Sequence, residues 1–179
     1  MKAFRGLDGS IVLFRPDMYM KRFKTSNARL GFPDYCEDEL LKLIEELVLI
    51  DQPFLGDKPG SALYIRPTSM SMTSTLGVKK PDMVKMYTIL SPVQEYFAGK
   101  IHLRVCGNFE RGGPESSNAF KLGSNYAPTV QITAEYNKRG FSQGLWLHNG
   151  YLLESGATNI FFVVKNPVSG NPFIFECSL

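Results

Sequence analysis

The sequence has few of the residues from which metal sites and disulfide frameworks are built. Its 179 residues include only three cysteines, Cys36, Cys106 and Cys177, and two histidines, His102 and His148. The cysteines lie far apart and form no C-x-x-C pair, so the spacing indicates no zinc or other metal site. An odd number of scattered cysteines is typical of a reducing compartment, where each packs as a small apolar residue, although a secreted chain stays open as the alternative.

Long apolar runs and an excess of one charge are also missing. The run "NIFFVV" is long enough for a strand but far short of the roughly 20 residues that span a bilayer. Twenty basic and 17 acidic residues are interspersed and leave a net charge of +3, so no basic stripe favours nucleic acid or an anionic membrane. The start, "MKAFRG", lacks the pattern of a signal or transit peptide. We therefore expect neither nucleic acid nor a membrane as a partner.

What is present is a globular composition, 44% hydrophobic and 12% aromatic, with strong local signals in the first half. "KAFRGL" and "SIVLFRP" flank Asp8 and Gly9, a pair that predicts a hairpin with positive φ angles in its turn. Pro16 predicts the start of a helix that ends near Gly31. A second helix is expected from Asp34, whose carboxylate could cap it. Its apolar stripe is Leu40, Ile44, Leu47 and Val48.

The segment "SALYIRP" predicts a strand with two different faces. Leu63 and Ile65 share one face because side chains alternate, and Tyr64 and Arg66 share the other. The polar pair is either a surface pair on a half-exposed strand or two ligand contacts that point the same way.

A domain boundary is expected after the next strand, "KMYTILSP". The stretch "VQEYFAGK" reads as a connector before a new strand, "IHLRVC". We predict a small domain over residues 1–92, an interdomain connector over residues 93–100 and a second domain over residues 101–179. No internal repeat is visible.

The second half predicts one helix and several strands. Pro128 suits the first turn of a helix, and Gly140 suits its C-terminal cap. Asn149 and Gly150 lie between "GLWLH" and "YLLE" and predict a tight hairpin. Two more strands, "IFFVV" and "PFIFE", flank the turn "KNPVSGN". These elements predict an α+β fold.

One short stretch, "NAFKLGSNYAP", places Lys121 on a turn between two apolar residues. Most lysines are solvated surface residues, and that interpretation stays open here. A lysine so placed could also serve Schiff-base chemistry if its amine is made neutral. Pyridoxal phosphate on such an amine needs a carboxylate near its ring nitrogen, a positive charge or a helix N-terminus near its phosphate, and often a phenol near its hydroxyl. Glu154, Arg22 and Tyr126 could fill those places, or could be ordinary turn, surface and packing residues.

Six blocks of the sequence together carry a family resemblance. "MKAFRG", "LFRPDMYMKRF", "LYIRP", "LGVKKP", "FKLGSNYAP" and "ESGATNIF" resemble, in order and approximate spacing, the branched-chain amino-acid aminotransferases of the eukaryotic type. These enzymes belong to the fold-type IV pyridoxal phosphate enzymes. The resemblance implies a fold-type IV architecture, with a small α/β domain followed by an incomplete larger sheet domain.

The resemblance also implies roles for individual residues. Lys121 would be the catalytic Schiff-base lysine, and Tyr126 would hydrogen-bond the pyridoxal hydroxyl. Glu154 would pair with the pyridine nitrogen, and Arg22 would contact the phosphate. Substrate-binding positions would be Tyr64, Arg66 and Thr158.

The implied activity is transamination of leucine, isoleucine and valine with 2-oxoglutarate, which gives branched-chain 2-oxo acids and glutamate. Pyridoxal phosphate would be the cofactor, and Lys121 would move the substrate α-proton. The resemblance further implies a homodimer that is cytoplasmic or mitochondrial and serves branched-chain amino-acid synthesis or breakdown.

The sequence departs from the family pattern at several points. Segments that the family has before "MKAFRG" and after "FIFECSL" are absent, and Ser124 and Ala127 stand where glycines are common. The chain is therefore expected to be a truncated form. One alternative is a catalytically silent fragment or isoform that acts only by binding a subunit. Others are a D-amino-acid aminotransferase or an aminodeoxychorismate lyase of the same fold.

Overall fold

The computed structural model describes residues 1–95, 99–107, 117–156 and 158–176. Within it the chain divides into two compact units, Met1–Ala98 and Gly99–Leu179. The connector expected at residues 93–100 stays a prediction, because residues 96–98 lie outside the described residues. Each unit contains both helix and sheet within its described residues.

The first unit is a four-stranded antiparallel sheet with two helices. Its elements are β1 (Lys2–Arg5), β2 (Ile11–Leu13), α1 (Pro16–Arg29), α2 (Glu37–Ile50), β3 (Ala62–Ser71) and β4 (Val84–Val93). The strand order is β2-β1-β3-β4. The long pair β3 and β4 is in register from Ala62 opposite Val93 to Ser71 opposite Val84.

The first hairpin forms as predicted, but its turn differs in detail. Gly9 adopts a φ of 84°, whereas Asp8 has no positive φ. The Asp8 carboxylate instead accepts hydrogen bonds from the backbone N–H and the hydroxyl of Ser10. These bonds hold the pKa of Asp8 below its usual range, the side-chain bond being the largest cause. Asp8 therefore stabilises the turn through its side chain rather than through its backbone conformation.

Helix α1 begins at Pro16, as predicted, but α2 begins at Glu37 rather than at Asp34. The Asp34 carboxylate pairs with Lys24 of α1, with 3.0 Å between Nζ and Oδ1, and it also accepts the Tyr35 N–H. Asp34 thus joins α1 to the segment that precedes α2, and it does not cap the second helix.

The core of the first unit lies between the helices and one face of the sheet. It is formed by Ala3, Met20, Ile44, Val48, Leu55, Leu63 and Ile65. The predicted stripe of α2 is confirmed, because Ile44 and Val48 are buried and Leu40 and Leu47 are half-buried. The strand alternation is confirmed as well, because Tyr64 and Arg66 lie on the face opposite to this core.

The second unit contains one α-helix and two small sheets within its described residues. Its elements are β5 (Leu103–Cys106), α3 (Ala127–Lys138), β6 (Gln143–His148), β7 (Tyr151–Ser155), β8 (Phe161–Lys165) and β9 (Pro172–Glu176). Strands β5 and β6 pair in parallel, and β6 and β7 pair antiparallel. Strands β8 and β9 form a separate antiparallel pair.

The predicted hairpin between β6 and β7 is confirmed. Asn149 and Gly150 have φ angles of 50° and 80°, the conformation that a tight primed turn requires. In this sheet Trp146 is fully buried, and its register partners are Cys106 on one side and Glu154 on the other. Glu154 therefore shares a face of the sheet with the buried tryptophan.

Candidate active site

Lys121 lies between two short helical turns that lead into α3. The first turn is Ser117–Ala119 and the second is Gly123–Tyr126. The exposed amine of Lys121 donates a hydrogen bond to the Tyr126 hydroxyl. Its Nζ also lies 4.6 Å from the centroid of the Tyr126 ring. The structure thus brings together an amine and a phenol that the sequence analysis had proposed for one site.

Asn125 fixes the loop that carries Lys121, and sequence reasoning missed it. Its side chain is 5% exposed. Its Nδ2 donates to the backbone carbonyls of Ser117 and Phe120, both at 2.8 Å, and its Oδ1 accepts from the Ser117 hydroxyl at 2.7 Å. The sequence feature that could have indicated this role is an asparagine in a turn, because asparagine side chains commonly hydrogen-bond to nearby backbone groups. The loop is therefore held on both sides of Lys121.

Helix α3 anchors this loop to the sheet. The Thr129 hydroxyl in its first turn donates to the Tyr126 carbonyl at 2.7 Å. Near its other end, a side-chain hydrogen bond with buried Cys106 is the largest cause that raises the pKa of Tyr136, and burial acts in the same direction. A polar contact near each end of α3 therefore helps to fix the position of the helix.

Thr158 is held by a neighbour that was not predicted. Ser155, which is 2% exposed, donates its hydroxyl proton to the Thr158 carbonyl at 2.7 Å and also lies 2.7 Å from the Thr158 hydroxyl. Since a serine hydroxyl has one proton, the Thr158 hydroxyl donates in the second contact. Glu154 precedes Ser155 on β7 and is half-buried.

The turn after β7 also depends on a glycine. A Cβ at Gly156 would lie 2.7 Å from Oε1 of the buried Gln143. Because that distance is shorter than real Cβ contacts, only glycine fits without movement of the Gln143 side chain. The motif "ESGATN" therefore has a packing reason for its glycine.

The other three predicted residues belong to the first unit. The Arg66 guanidinium carbon lies 5.1 Å from the centroid of the Tyr64 ring, a cation–π contact on the face of the sheet opposite to the core of the first unit. Arg22 lies on α1 and makes a similar contact, also at 5.1 Å, with Tyr19. Since α1 packs on the core face, the first unit presents Arg22 on the other side of its sheet from Tyr64 and Arg66.

Two classes of feature are not found among the described residues. They contain no group of three or more histidine, cysteine or acidic side chains that could hold a metal ion. Nor do they include a helix with the length and apolar character needed to cross a membrane.

Comparison with solved structures defines the fold. The chain superimposes on the branched-chain amino acid aminotransferase of Escherichia coli with a TM-score of 0.73 and 23% identity, covering 93% of this chain and 54% of the enzyme. The enzyme from Thermobaculum terrenum gives a TM-score of 0.77 at 19% identity, over 92% of this chain and 53% of the enzyme. The fold-type IV aminotransferase architecture expected from the sequence is confirmed.

The family follows from the sequence itself. Residues 2–175 match the family described as Amino-transferase class IV, and the chain belongs to this family. Together with the eukaryotic branched-chain relatives described next, this match confirms the resemblance drawn from the six sequence blocks.

Similar curated proteins carry the name of the branched-chain enzymes. The branched-chain-amino-acid aminotransferase of Dictyostelium discoideum is 38% identical over 93% of this chain and 45% of its own length. The mitochondrial enzyme of Bos taurus is 39% identical over 90% of this chain and 42% of its own length. The chain therefore spans less than half the length of these relatives.

Proposed function

We propose that this protein catalyses the pyridoxal phosphate-dependent transamination of leucine, isoleucine and valine with 2-oxoglutarate. The products are branched-chain 2-oxo acids and glutamate. The observation that carries the proposal is the contact between the Lys121 amine and the Tyr126 hydroxyl in a chain of the class IV aminotransferase family. The names of the curated relatives support the branched-chain substrates.

The residues present fit pyridoxal phosphate as a cofactor. Lys121 offers an exposed amine to an aldehyde, and Tyr126 offers a phenol beside it. Glu154 would offer a half-buried carboxylate to the ring nitrogen. Arg22 of the first unit is proposed for the phosphate from the family resemblance alone. When bound, the cofactor supplies an electron sink for the substrate α-carbon. One solved neighbour is in its pyridoxal phosphate form, and another is complexed with N-(5'-phosphopyridoxyl)-L-glutamate.

Lys121 would act twice through the same atom. Its Nζ would hold the cofactor and, once released by the incoming amino acid, would take the proton from the substrate α-carbon. The Tyr126 hydroxyl would keep Nζ in one place between these two roles. A lysine side chain has several rotatable bonds, so this contact lowers the cost of placing the amine.

Substrate binding is assigned to the remaining predicted residues. Arg66 would bind a substrate carboxylate, and the Tyr64 ring holds its guanidinium by the cation–π contact. Thr158, fixed by Ser155, would line the pocket. We further propose a homodimer located in the cytoplasm or mitochondria, in keeping with relatives of both locations.

Covalent labelling tests the assignment of Lys121. The chain is incubated with pyridoxal phosphate, treated with borohydride to fix the cofactor to the amine that holds it, and digested for peptide mapping. We expect the label on Lys121 and its loss in Lys121→Ala. The matched control is Lys138→Ala, which removes an exposed lysine at the end of α3 and should keep the label. Labelling spread evenly over the surface lysines would contradict the assignment.

Glutamate formation from L-leucine and 2-oxoglutarate tests the activity. We expect turnover with L-leucine, none with D-leucine and none in Lys121→Ala. Turnover with D-leucine alone would replace the substrate assignment by that of a D-amino-acid aminotransferase. Labelling of Lys121 without glutamate would favour a chain that binds the cofactor and is catalytically silent.

A further inference from the structure

We propose that Asn125 is a positioning residue, which holds Lys121 where its amine meets the Tyr126 hydroxyl. The inference rests on the function proposed for Lys121 and adds a residue to it. The three described side-chain hydrogen bonds of Asn125 join it to Ser117 and Phe120, and none of these three goes to the Lys121 amine or the Tyr126 hydroxyl. Asn125 acts through the backbone that carries them.

The geometry of the Asn125 side chain is that of a clamp. Ser117 and Phe120 come before Lys121 in the chain, and Asn125 comes after it. The two Nδ2 protons bind the carbonyls of Ser117 and Phe120, and Oδ1 receives the Ser117 hydroxyl. A buried amide can satisfy its two donors and an acceptor in this way without loss of stability. The three bonds close the loop around Lys121.

The clamp bears on the lysine position because it holds the backbone on both sides of Lys121. The Lys121 side chain is exposed and flexible, so the position of its backbone helps to decide whether the amine reaches the Tyr126 hydroxyl. The tyrosine side of the pair is fixed separately, since Thr129 binds the Tyr126 carbonyl. Asn125 thus fixes the lysine side, and the contact between amine and phenol requires both.

Three variants separate the parts of the clamp. Asn125→Ala removes all three bonds, whereas Asn125→Asp keeps an acceptor for Ser117 but loses both donors and places carboxylate oxygens against two carbonyls. Ser117→Ala is the matched control, because it removes only the hydroxyl bond and leaves both Nδ2 donors in place.

The first measurement is nuclear magnetic resonance of the 179-residue chain with isotope-labelled lysine, without cofactor. The Tyr126 ring is expected to shift the signals of the Lys121 methylene next to Nζ, because Nζ lies 4.6 Å from the ring centroid. The signal is assigned by its loss in Lys121→Ala. We expect the shift to disappear in Asn125→Ala and Asn125→Asp and to persist in Ser117→Ala, while the Lys138 signal stays unchanged in all three.

The second measurement is the rate at which pyridoxal phosphate is fixed on Lys121 by borohydride. Loss of two donated hydrogen bonds should lower this rate about tenfold in Asn125→Ala. The rate in Ser117→Ala should stay close to that of the parent chain. A change in Lys121 labelling with constant Lys138 labelling distinguishes positioning from general loss of structure.

The proposal is overturned if Asn125→Ala keeps its circular dichroism spectrum and the shifted Lys121 signal. If neither Asn125 variant folds, the test is made on the parent chain by measuring hydrogen exchange of its Asn125 side chain. Slow exchange of both Asn125 Nδ2 protons together with a ring-shifted Lys121 signal supports the clamp, and exchange as fast as that of exposed Asn171 overturns it. These results do not depend on turnover, so failure of the clamp is distinguishable from failure of the proposed function.

Discussion

Tyr35 shows how one residue couples the first unit to pH. It lies between α1 and α2, with its ring centroid 6.0 Å from that of Phe23. Burial is the largest cause that raises the pKa of Tyr35 to about 12. An unfolded tyrosine ionises near pH 10, so between about pH 10 and 12 the folded chain holds a proton that the unfolded chain has lost. The stability contributed by this proton is present below about pH 10 and is lost as the pH rises.

Replacement of this phenol should remove part of the alkaline sensitivity. We expect the free energy of unfolding of the parent chain to fall between about pH 10 and 12, and to fall less steeply in Tyr35→Phe. Urea unfolding across this range measures the slope, and Tyr151→Phe, at an exposed tyrosine, is the control. Equal slopes in Tyr35→Phe and the parent chain would contradict the role of Tyr35.

At the residue scale, the sequence identified Lys121 and Tyr126 but not Asn125 and Ser155. The first two have side chains whose chemistry is distinctive wherever they lie. The other two act through bonds to backbone atoms, and those bonds exist only once the turns have formed. Their roles therefore could not be read from residue type and spacing alone.

At the element scale, apolar periodicity predicted the structure better than capping signals did. The stripe of α2 faces the core as expected, yet the helix starts three residues after the predicted cap. The Asp34 carboxylate could either cap the N-terminus of α2 or pair with Lys24 of the preceding helix, and in the folded chain it pairs with Lys24. The local sequence pattern did not predict this, because Lys24 comes close to Asp34 only after folding.

Neighbouring positions on α2 should differ sharply in their effect on stability. Ile44 is 1% exposed in the core, whereas Leu43 is 62% exposed. We expect Ile44→Ala to lower the free energy of unfolding by about 2 to 5 kcal/mol through lost burial and the cavity left behind. Leu43→Ala should change it by no more than about 0.5 kcal/mol.

Urea denaturation followed by far-ultraviolet circular dichroism compares the two variants with the parent chain. Similar losses at Ile44 and Leu43 would mean that α2 packs with a different face than the one described.

The parallel pairing of β5 and β6 illustrates a second limit of the sequence. Both strands and the helix α3 between them were predicted, but their mutual direction was not. Parallel neighbours need a long crossover connection, and α3 provides one. The order strand, helix, strand implies parallel strands only if the two strands are neighbours, and the sequence did not show that β5 and β6 pair with each other.

At the scale of the whole molecule, two units of different character share one chain. The first has a continuous apolar core, whereas the β8–β9 pair of the second is exposed along most of its length. Val163 and Ile174 are opposite each other in register, and they are 70% and 68% exposed. An exposed apolar two-stranded sheet is a site for association between chains.

A single charge on this surface should reduce self-association of the 179-residue chain. In the parent chain, the associated fraction should increase as the protein concentration rises. We expect this increase to be smaller in Ile174→Lys, as measured by sedimentation velocity. Val168→Lys adds the same charge in the turn between the strands, at a position 96% exposed, and should have little effect. Equal effects of the two lysines would point to net charge rather than to the strand surface.

Trp146 has an experimental consequence of its own. It is the one tryptophan in the sequence, it is fully buried, and it lies in the second unit. Tryptophan emission from this protein therefore originates in the unit that carries Lys121, while the first unit contributes only tyrosine emission. When tryptophan is excited selectively, the fluorescence of Trp146 therefore reports on changes in the lysine-bearing unit alone, with no dye or engineered label.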